Sequence, residues 1–192
     1  MEKQKKTGVL KPALICILAM TLICGIIYPA LMSGIGYIFF PQQASGSFVA
    51  VEKDGKEVVI GSMLMGQDFT KPEYLIGRPN GGAPTNLSAL SDEQQDVVAQ
   101  RVAWWHEFDP NTIGQDIPED LVTVGGSGYD PEISYASAQL QIKRIAQARN
   151  MSEEEVQAII DHCTKKPTLG ILGETRVNVL EVNIQLDGLK VV

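Results

Sequence analysis

The feature that most constrains this chain is an uncharged segment near its N-terminus. Residues 12–40 read PALICILAMTLICGIIYPALMSGIGYIFF and carry no charged side chain. About 20 apolar residues, at a rise of about 1.5 Å each, are enough to cross a hydrocarbon core of about 30 Å. The segment is therefore long enough to span a membrane as a helix.

The segment allows two interpretations, because a cleaved signal peptide and a retained anchor both follow a basic region. The apolar region of a signal peptide runs about 7–15 residues. Here the apolar character continues past Tyr28 and Pro29 to Phe40, which favours a retained anchor. Pro29 is expected to kink or end the helix locally, since its ring clashes with the preceding turn.

The charges beside the segment predict its orientation. Residues 1–11 hold four lysines and one glutamate, a net charge of 4 − 1 = +3, and the positive-inside rule keeps such a flank in the cytoplasm. Everything after Phe40 is then expected outside. The whole chain carries 16 − 23 = −7, so the remainder carries −7 − 3 = −10. The net charge of −10 after residue 11 argues against nucleic-acid binding, which needs basic side chains against phosphates. The acidic charge serves solubility or attracts small cations weakly.

Cysteine and histidine are too scarce for a disulfide framework or a metal site. Cys16 and Cys24 fall within the uncharged segment, and Cys163 stands alone after it. His106 and His162 are far apart in the sequence and belong to no zinc-binding motif. We therefore expect no metal bound by this chain.

The whole sequence predicts a single N-terminal transmembrane helix followed by one compact extracytoplasmic α+β domain. Asp54-Gly55 between two β-type runs predicts a hairpin. Glycines and prolines between Gly66 and Pro84 indicate a long shaped loop. The expected organisation is a cytoplasmic tail (1–11), a transmembrane anchor (12–40), a linker (41–50) and the domain (51–192).

Three helices are expected in the domain from their N-terminal signals. Ser91 with Gln94, and Ser152 with Glu155, have the spacing of a capping box. Asp130-Pro131 offers an N-cap followed by proline at the first helical position. The last segment, residues 176–188 (RVNVLEVNIQLDG), alternates apolar and polar side chains and predicts a half-buried strand.

An aromatic group on the first predicted helix has two interpretations. Trp104, Trp105 and Phe108 could form a platform for a ligand, or they could contact the core or a partner. Apolar side chains at helical spacing favour the second interpretation.

Residues 123–134, TVGGSGYDPEIS, resemble several reactive loops but complete none of them. They have no lysine for a P-loop, and Pro131 stands where G-x-G-x-x-G needs its last glycine. The window around Ser127 lacks the final glycine of G-x-S-x-G, although DLVTV before it leaves a strand-to-helix arrangement open. A helix N-terminus after glycines could hold an anion, and glycines that only satisfy a positive φ explain the pattern equally well.

Four spaced blocks behind the anchor resemble the KdpC family, the C subunits of Kdp potassium-transporting P-type ATPases. The blocks are GSMLMGQDFTKPEYLIGRP, IPEDLVTVGGSGYDPEIS, IKRIAQAR and LGILGETRVNVLEVNIQLD. The chain departs from the family at Gly125, where serine is usual, at Glu132, where histidine is usual, and in a shortened NGGAPTN loop. The motif residues that the resemblance marks as candidates for assembly are Gly66, Gln67, Phe69, Pro72, Tyr74, Arg78, Pro79, Gly126, Ser127, Gly128, Asp130, Pro131, Arg176 and Asn178.

The resemblance implies an accessory subunit without catalysis of its own. In such complexes a channel-like subunit carries potassium and a P-type subunit hydrolyses ATP, so these two and the lipid bilayer are the expected partners. ATP and potassium are then used by the complex, and no cofactor is expected on this chain. The DKTGT signature of P-type ATPases is absent from the sequence, so the phosphoryl chemistry is expected in another subunit.

Family members are also described as catalytic chaperones that raise the ATP affinity of the hydrolysing subunit. That description conflicts with an anchor whose N-terminus is cytoplasmic, because the soluble domain then lies away from cytoplasmic ATP. We follow the charge argument and expect a single-pass membrane protein with its domain outside. The rival hypothesis is an independent membrane-tethered binding protein or a serine hydrolase that uses Ser127.

Overall fold

The computed structural model describes residues 8–53, 55–80 and 86–191. The chain divides after Ser47 into two compact units, and each is described by itself. The first unit consists mainly of one continuous helix, Leu10–Phe39. By length and composition it is the one helix in the described part of the chain that could cross a membrane.

A π-helical turn interrupts this helix just before Pro29. It covers Ile23–Ile27 and joins α1 (Leu10–Leu22) to α2 (Tyr28–Phe39). The helix does not end at Pro29, which corrects one of the two outcomes expected from the sequence. Proline donates no hydrogen bond and its ring crowds the carbonyl four residues earlier, and the wider π turn relieves that crowding. A short helix, α3 (Pro41–Ala44), follows.

The second unit begins with the predicted hairpin. β1 (Phe48–Lys53) pairs antiparallel with β2 (Lys56–Ser62). Gly55 has a φ of +71°, the positive value that its turn position needs, while Asp54 lies outside the described residues. β1 starts at Phe48, within the segment expected to be a linker, because Val49 and Val51 are both buried in the core.

The helix expected after Ser91 is confirmed as α4 (Asp92–Phe108). The Ser91 hydroxyl accepts a hydrogen bond from the Gln94 N–H at 3.3 Å. The helix ends at Asp109, as the Asp-Pro pair predicts, and a 3-10 turn, Pro110–Thr112, follows.

The aromatic group on α4 divides between core and surface. Trp105 is 1% exposed, and its indole N–H donates to the Leu121 carbonyl at 3.1 Å. Leu121 belongs to a short helix, α5 (Glu119–Val122). Trp104 is 44% exposed and stacks on Phe108 with ring centroids 4.7 Å apart. Trp105 therefore confirms the core interpretation, while Trp104 lies at the surface.

The prediction that a helix begins at Asp130-Pro131 is wrong. The chain continues as β3 (Glu132–Ser134), and α6 (Tyr135–Leu140) begins only after Ser134, whose hydroxyl accepts from the Ser137 N–H. Ile133 is 2% exposed because β3 pairs antiparallel with β5 (Arg176–Asn178). Pairing with a distant strand thus overrides the local Asp-Pro signal. α7 (Ile142–Arg149) follows α6 after Gln141.

The capping-box prediction is confirmed in α8 (Glu153–Cys163). The Ser152 hydroxyl accepts from the Glu155 N–H, and the Glu155 carboxylate accepts from the Ser152 N–H. The helix leads into β4 (Thr164–Lys165), which pairs antiparallel with β5. The second sheet therefore has the strand order β3-β5-β4.

The prediction of a strand over residues 176–188 is wrong beyond the first three residues. Only β5 is extended, and Asn178 then caps α9 (Val179–Leu186) by accepting a hydrogen bond from the Glu181 N–H at 3.1 Å. The alternating pattern arises because α9 lies between two apolar clusters, so that two faces of the helix are buried. One face packs into the main core through Val179, Val182 and Leu186, and the other packs against β1 through Leu180 and Ile184.

Candidate functional site

Many of the family-motif residues meet where residues 72–78 cross the core of the second unit. We call these residues, PEYLIGR, the core-crossing segment. The Leu75 N–H donates to Asn183 Oδ1 at 2.8 Å, and the Leu75 carbonyl accepts from Asn183 Nδ2 at 2.9 Å. Gln141 makes the same pair of bonds with Ile76, both at 2.9 Å. Two side-chain amides thus do for this segment what a partner strand does in a sheet.

Arginines of α7 bind the first three carbonyls of the segment. Arg144 donates to the carbonyls of Pro72 and, at 3.1 Å, Tyr74. Arg149 donates from Nε to the Glu73 carbonyl at 2.6 Å. The position of the core-crossing segment is therefore fixed by α7 and α9 together.

Arg144 carries its charge into the core with one acidic partner. Its Nε lies 3.6 Å from Asp109 Oδ2, and the two side chains are 5% and 0% exposed. That separation is longer than a hydrogen bond, so the contact is one of charge. The guanidinium also lies 5.1 Å from the centroid of the Phe108 ring. Burial lowers the pKa of Arg144 to about 10, and Asp109 opposes that shift.

Tyr74 and Phe69 close one end of the core-crossing segment. The Tyr74 hydroxyl donates to Asp187 Oδ2 at 3.1 Å, and Arg149 donates to the other oxygen of Asp187 at 2.7 Å. Burial and the neighbouring Asp187 carboxylate raise the pKa of Tyr74. The Phe69 ring packs 5.4 Å from that of Tyr74. Both motif aromatics thus serve packing within the unit.

Arg78, at the other end, joins the first motif block to the central one. Its Nη2 donates to the Thr123 hydroxyl at 3.1 Å, and its Nη1 pairs with Asp130 Oδ2 at 3.3 Å. Gly66 adds a second link, since its N–H donates to the Tyr129 carbonyl at 2.7 Å. A Cβ on Gly66 would lie 2.7 Å from the Asp130 carbonyl oxygen, so a side chain there would push the two blocks apart.

The GGSGYD stretch of the central block forms a hydrogen-bonded turn. The Gly128 N–H donates to the Gly125 carbonyl at 2.9 Å, and Gly128 has a φ of +75°. The Ser127 hydroxyl accepts from the Tyr129 N–H at 3.1 Å. Gly126 lies at the exposed side of this turn, with open space where a Cβ would be. The glycines thus serve a turn rather than the start of a helix.

The residues around Ser127 do not form a nucleophile elbow. The preceding DLVTV is mainly helix α5 rather than a strand, so the strand-to-helix arrangement that the elbow needs is not formed. His106 is hydrogen-bonded to Thr112 at 3.1 Å and His162 to Gln185 at 2.9 Å. Within residues 8–53, 55–80 and 86–191, Ser127 has no hydrogen bond to a histidine base.

The last motif residues secure the second sheet. Arg176 Nε pairs with Glu132 Oε2 at 2.8 Å. Asn178 donates to the Met63 carbonyl at 2.9 Å while it caps α9, and the Pro131 carbonyl accepts from the Val179 N–H at 3.1 Å. These contacts therefore link three of the four motif blocks, the first, the central and the last.

An acidic cleft of about 430 Å³ lies beside these pairs, lined by carboxylates and two arginines. Three of its five carboxylates have partners within the chain: Asp130 pairs with Arg78 and Glu132 with Arg176. Asp120 accepts a 2.6 Å hydrogen bond from the Ser134 N–H and further bonds from two serine hydroxyls. In the part of the chain that the structure describes, no group of acidic, histidine or cysteine side chains is arranged to hold a metal ion.

A smaller cleft of about 220 Å³ lies on the other side of Arg78. Gln67, Pro79 and the exposed ring of Trp104 line it, together with Arg101. Gln67 Nε2 is buried there and has no hydrogen-bond partner among the described residues. Gln67 and Pro79 of the motif thus line the same cleft as the surface aromatic of α4.

Sequence reasoning missed the residues that hold the core-crossing segment. Asn183, Gln141, Arg144 and Asp109 are all at most 5% exposed, yet none was predicted to be buried or to hold residues 72–78. No local signal marks Asn183, because polar and apolar residues alternate on both sides of it. Buried polar side chains are nearly always hydrogen-bonded, so such a residue is recognised once its partner is known.

Comparison with known proteins gives one consistent family. The family model described as "KdpC: K+-transporting ATPase, c chain" matches residues 10–188. The potassium-transporting ATPase KdpC subunit of Listeria monocytogenes serotype 4a is 46% identical over 182 residues, which cover 94% of this chain and 95% of that protein. The KdpC subunit of Herminiimonas arsenicoxydans is 46% identical over 189 residues, covering 93% and 96%. That of a Janthinobacterium species is 42% identical over 187 residues, covering 92% and 96%.

Proposed function

The chain belongs to the KdpC family of K+-transporting ATPase c chains, and we propose that it is the accessory subunit of a Kdp potassium-uptake complex. The match over residues 10–188 is the observation that carries this proposal. The expected partners are a channel-like subunit that carries potassium and a P-type subunit that hydrolyses ATP.

A non-catalytic role agrees with how the motif residues are used. Tyr74, Arg78, Asp130, Arg176 and Asn178 each have hydrogen bonds or ion pairs inside the unit. These contacts fix one surface shape instead of presenting a reactive group. The proposal is that the motif maintains a rigid surface for assembly, while phosphoryl transfer takes place on another subunit.

We propose that the second unit lies on the outer side of the membrane and that the N-terminus lies in the cytoplasm. The lysines before the span support it through the positive-inside rule. An outside domain cannot touch cytoplasmic ATP, so any effect on ATP affinity acts through the complex across the membrane. This is how we interpret the chaperone role described for the family.

The acidic domain is proposed to lie near the external potassium entrance of the complex. Residues 12–192 carry −10 of net charge, from the chain total of −7 and +3 for residues 1–11. Two of the five carboxylates of the acidic cleft are paired with arginines and a third, Asp120, accepts several hydrogen bonds. We therefore attribute any attraction of potassium to the net field of the domain rather than to a binding site.

Co-purification tests the proposed assembly. The full chain with a C-terminal tag is co-expressed with the channel-like and P-type subunits and purified in mild detergent. We expect both subunits to elute with it in a fixed ratio. A chain that elutes alone contradicts the proposal, and a hydrolytic activity of that lone chain which Ser127→Ala abolishes would support the rival hydrolase.

Thiol labelling in intact cells tests the orientation. Lys143 is exposed on α7 and Lys11 lies at the start of the span. We expect a membrane-impermeant maleimide to label Lys143→Cys in intact cells, and Lys11→Cys only after lysis. Labelling of Lys143→Cys only after lysis would place the domain in the cytoplasm.

The native cysteine outside the span does not disturb this experiment. Cys163 is 2% exposed, and burial raises the pKa of its thiol to about 12. At about pH 8 almost none of it is the reactive thiolate. Cys16 and Cys24 lie in the apolar segment, so in intact cells the unmodified chain is expected to stay unlabelled, which makes it the control there.

A further inference from the structure

A loop with three exposed apolar side chains leaves the second sheet between β4 and β5. Leu169, Ile171 and Leu172 are 85%, 80% and 60% exposed. Single exposed apolar side chains are common on proteins, but a group of large ones marks an interaction surface. We call residues 168–173, TLGILG, the apolar loop.

Backbone hydrogen bonds give the apolar loop a fixed shape. The Thr168 N–H donates to the Leu172 carbonyl at 2.9 Å, and the Leu172 N–H donates to the Thr168 carbonyl at 3.0 Å. The Gly170 N–H donates to the Pro167 carbonyl at 3.0 Å. Leu169 has a φ of +56° within this turn, which costs free energy for a residue with a side chain. Packing inside the unit does not explain a strained leucine that is exposed, and such strain points to a function.

The apolar loop stands clear of the rest of the unit. A Cβ added to Gly170 would meet no atom within 4 Å, and the residues from Thr168 to Thr175 are all exposed. The base of the loop is fixed, because Lys165 and Arg176 are paired opposite each other in the ladder of β4 and β5. The exposed side chains belong to none of the apolar clusters formed by the described residues. They are therefore free to contact a surface outside the chain.

The charge beside the loop differs from that of the unit as a whole. Residues 165–176 hold three basic side chains and one acidic one, 3 − 1 = +2, whereas residues 12–192 carry −7 − 3 = −10. Lys165 and Arg176 are each paired with a glutamate. Lys166 is exposed and has no ion pair within residues 8–53, 55–80 and 86–191. Large apolar side chains next to a free lysine are the combination that binds a lipid surface.

A lipid surface lies within reach of the second unit. Eight residues, 40–47, connect Phe39, the last residue of the helix that could span a membrane, to Phe48, the first residue of the unit. Eight residues reach at most about 30 Å when fully extended. A bilayer that holds the helix therefore stays close to the unit at all times, whereas a protein that covered the loop would be present only after assembly.

We infer that the apolar loop inserts into the surface of the bilayer that holds the chain's own span. Leu169, Ile171 and Leu172 enter the boundary between headgroups and acyl chains, and Lys166 extends its ammonium group to the lipid phosphates beside them. The inference rests on the proposed membrane anchorage and adds a second attachment of the chain to the bilayer. It requires no partner subunit.

Fluorescence quenching in a lipid bilayer tests the inference. The full chain, with Cys16 and Cys24 replaced by alanine, is reconstituted into nanodiscs of phosphatidylethanolamine and phosphatidylglycerol. An environment-sensitive NBD dye is attached at Leu169→Cys, while the buried Cys163 stays unlabelled. The matched control carries the dye at Leu90→Cys, since Leu90 is 86% exposed and lies before α4. We expect a blue-shifted emission and quenching by doxyl-labelled lipids from position 169, and neither from position 90.

The other outcomes overturn the inference. Emission from position 169 without a blue shift would show that the loop stays in water. A blue shift without quenching by the doxyl lipids would show that protein covers the loop. Equal quenching from both positions would show that the bilayer does not select the loop. If the chain stays with the nanodiscs in these cases, only the insertion is wrong, whereas a chain that leaves them contradicts the proposed anchorage as well.

Discussion

Replacing Arg144 by methionine is expected to lower the free energy of unfolding of the second unit by about 3–5 kcal/mol. The substitution removes a buried charge whose partner, the Asp109 carboxylate, is itself fully buried. It also leaves the carbonyls of Pro72 and Tyr74 without their donor. Thermal unfolding of the full chain in detergent, followed by near-ultraviolet circular dichroism of the tryptophans on α4, measures the loss.

Lys143→Met is the matched control for this prediction. Lys143 is the preceding residue of α7, the chemical change is the same, and the side chain is exposed. We expect a change within about 0.5 kcal/mol, as for most surface substitutions. Equal stabilities of Arg144→Met and Lys143→Met would show that the buried pair does not hold the core-crossing segment.

Replacing Asn183 by leucine is expected to lower the free energy of unfolding by about 2–6 kcal/mol, although leucine fits the apolar surroundings of α9. Asn183 is 3% exposed and makes two hydrogen bonds to the backbone of Leu75. Leucine satisfies neither, so one buried N–H and one buried carbonyl lose their partner, at about 1–3 kcal/mol each. The same unfolding measurement detects the loss, and limited proteolysis is expected to cut within residues 72–78 first.

Gln185→Leu provides the comparison on the same helix. Gln185 is hydrogen-bonded to His162 at the surface rather than to buried backbone. Its replacement is expected to change stability by less than about 1 kcal/mol. A variant Asn183→Leu as stable as Gln185→Leu would contradict the view that side-chain amides take the place of a partner strand.

Predictions from the sequence succeeded where the signal and its physical partner lie close together in the chain. Ser152 and Glu155 satisfy each other's backbone groups within one turn, so the start of α8 follows from four residues. The helix Leu10–Phe39 is equally local, because the length and apolar composition that would let it cross a membrane lie in one stretch of the chain.

The failures occurred where a distant partner decides the structure. Asp130-Pro131 has the composition of a helix start, but β5, more than 40 residues later in the sequence, pairs with the chain there and makes β3. The alternation in residues 176–188 has the period of a strand, yet two separate clusters bury two faces of a helix. No local pattern contains that information.

Some residues of the candidate site were predicted from the sequence, and others were missed because their partners are distant in the chain. Resemblance to the family identified Arg78, Asp130, Arg176 and Asn178, and the structure brings them together in two linked groups of contacts. Asn183 was assigned to the polar face of a strand, because its partner, Leu75, is 108 positions away. A buried polar residue becomes visible only when the segment that it binds is known.

We propose that this chain is a required subunit for potassium uptake. High-affinity potassium uptake measured in cells that lack only this chain tests it most directly, with the other subunits expressed at their usual level. We expect growth at limiting potassium and high-affinity uptake to be abolished, and both to be restored by the full-length chain. Unimpaired high-affinity uptake in the absence of the chain would contradict the account.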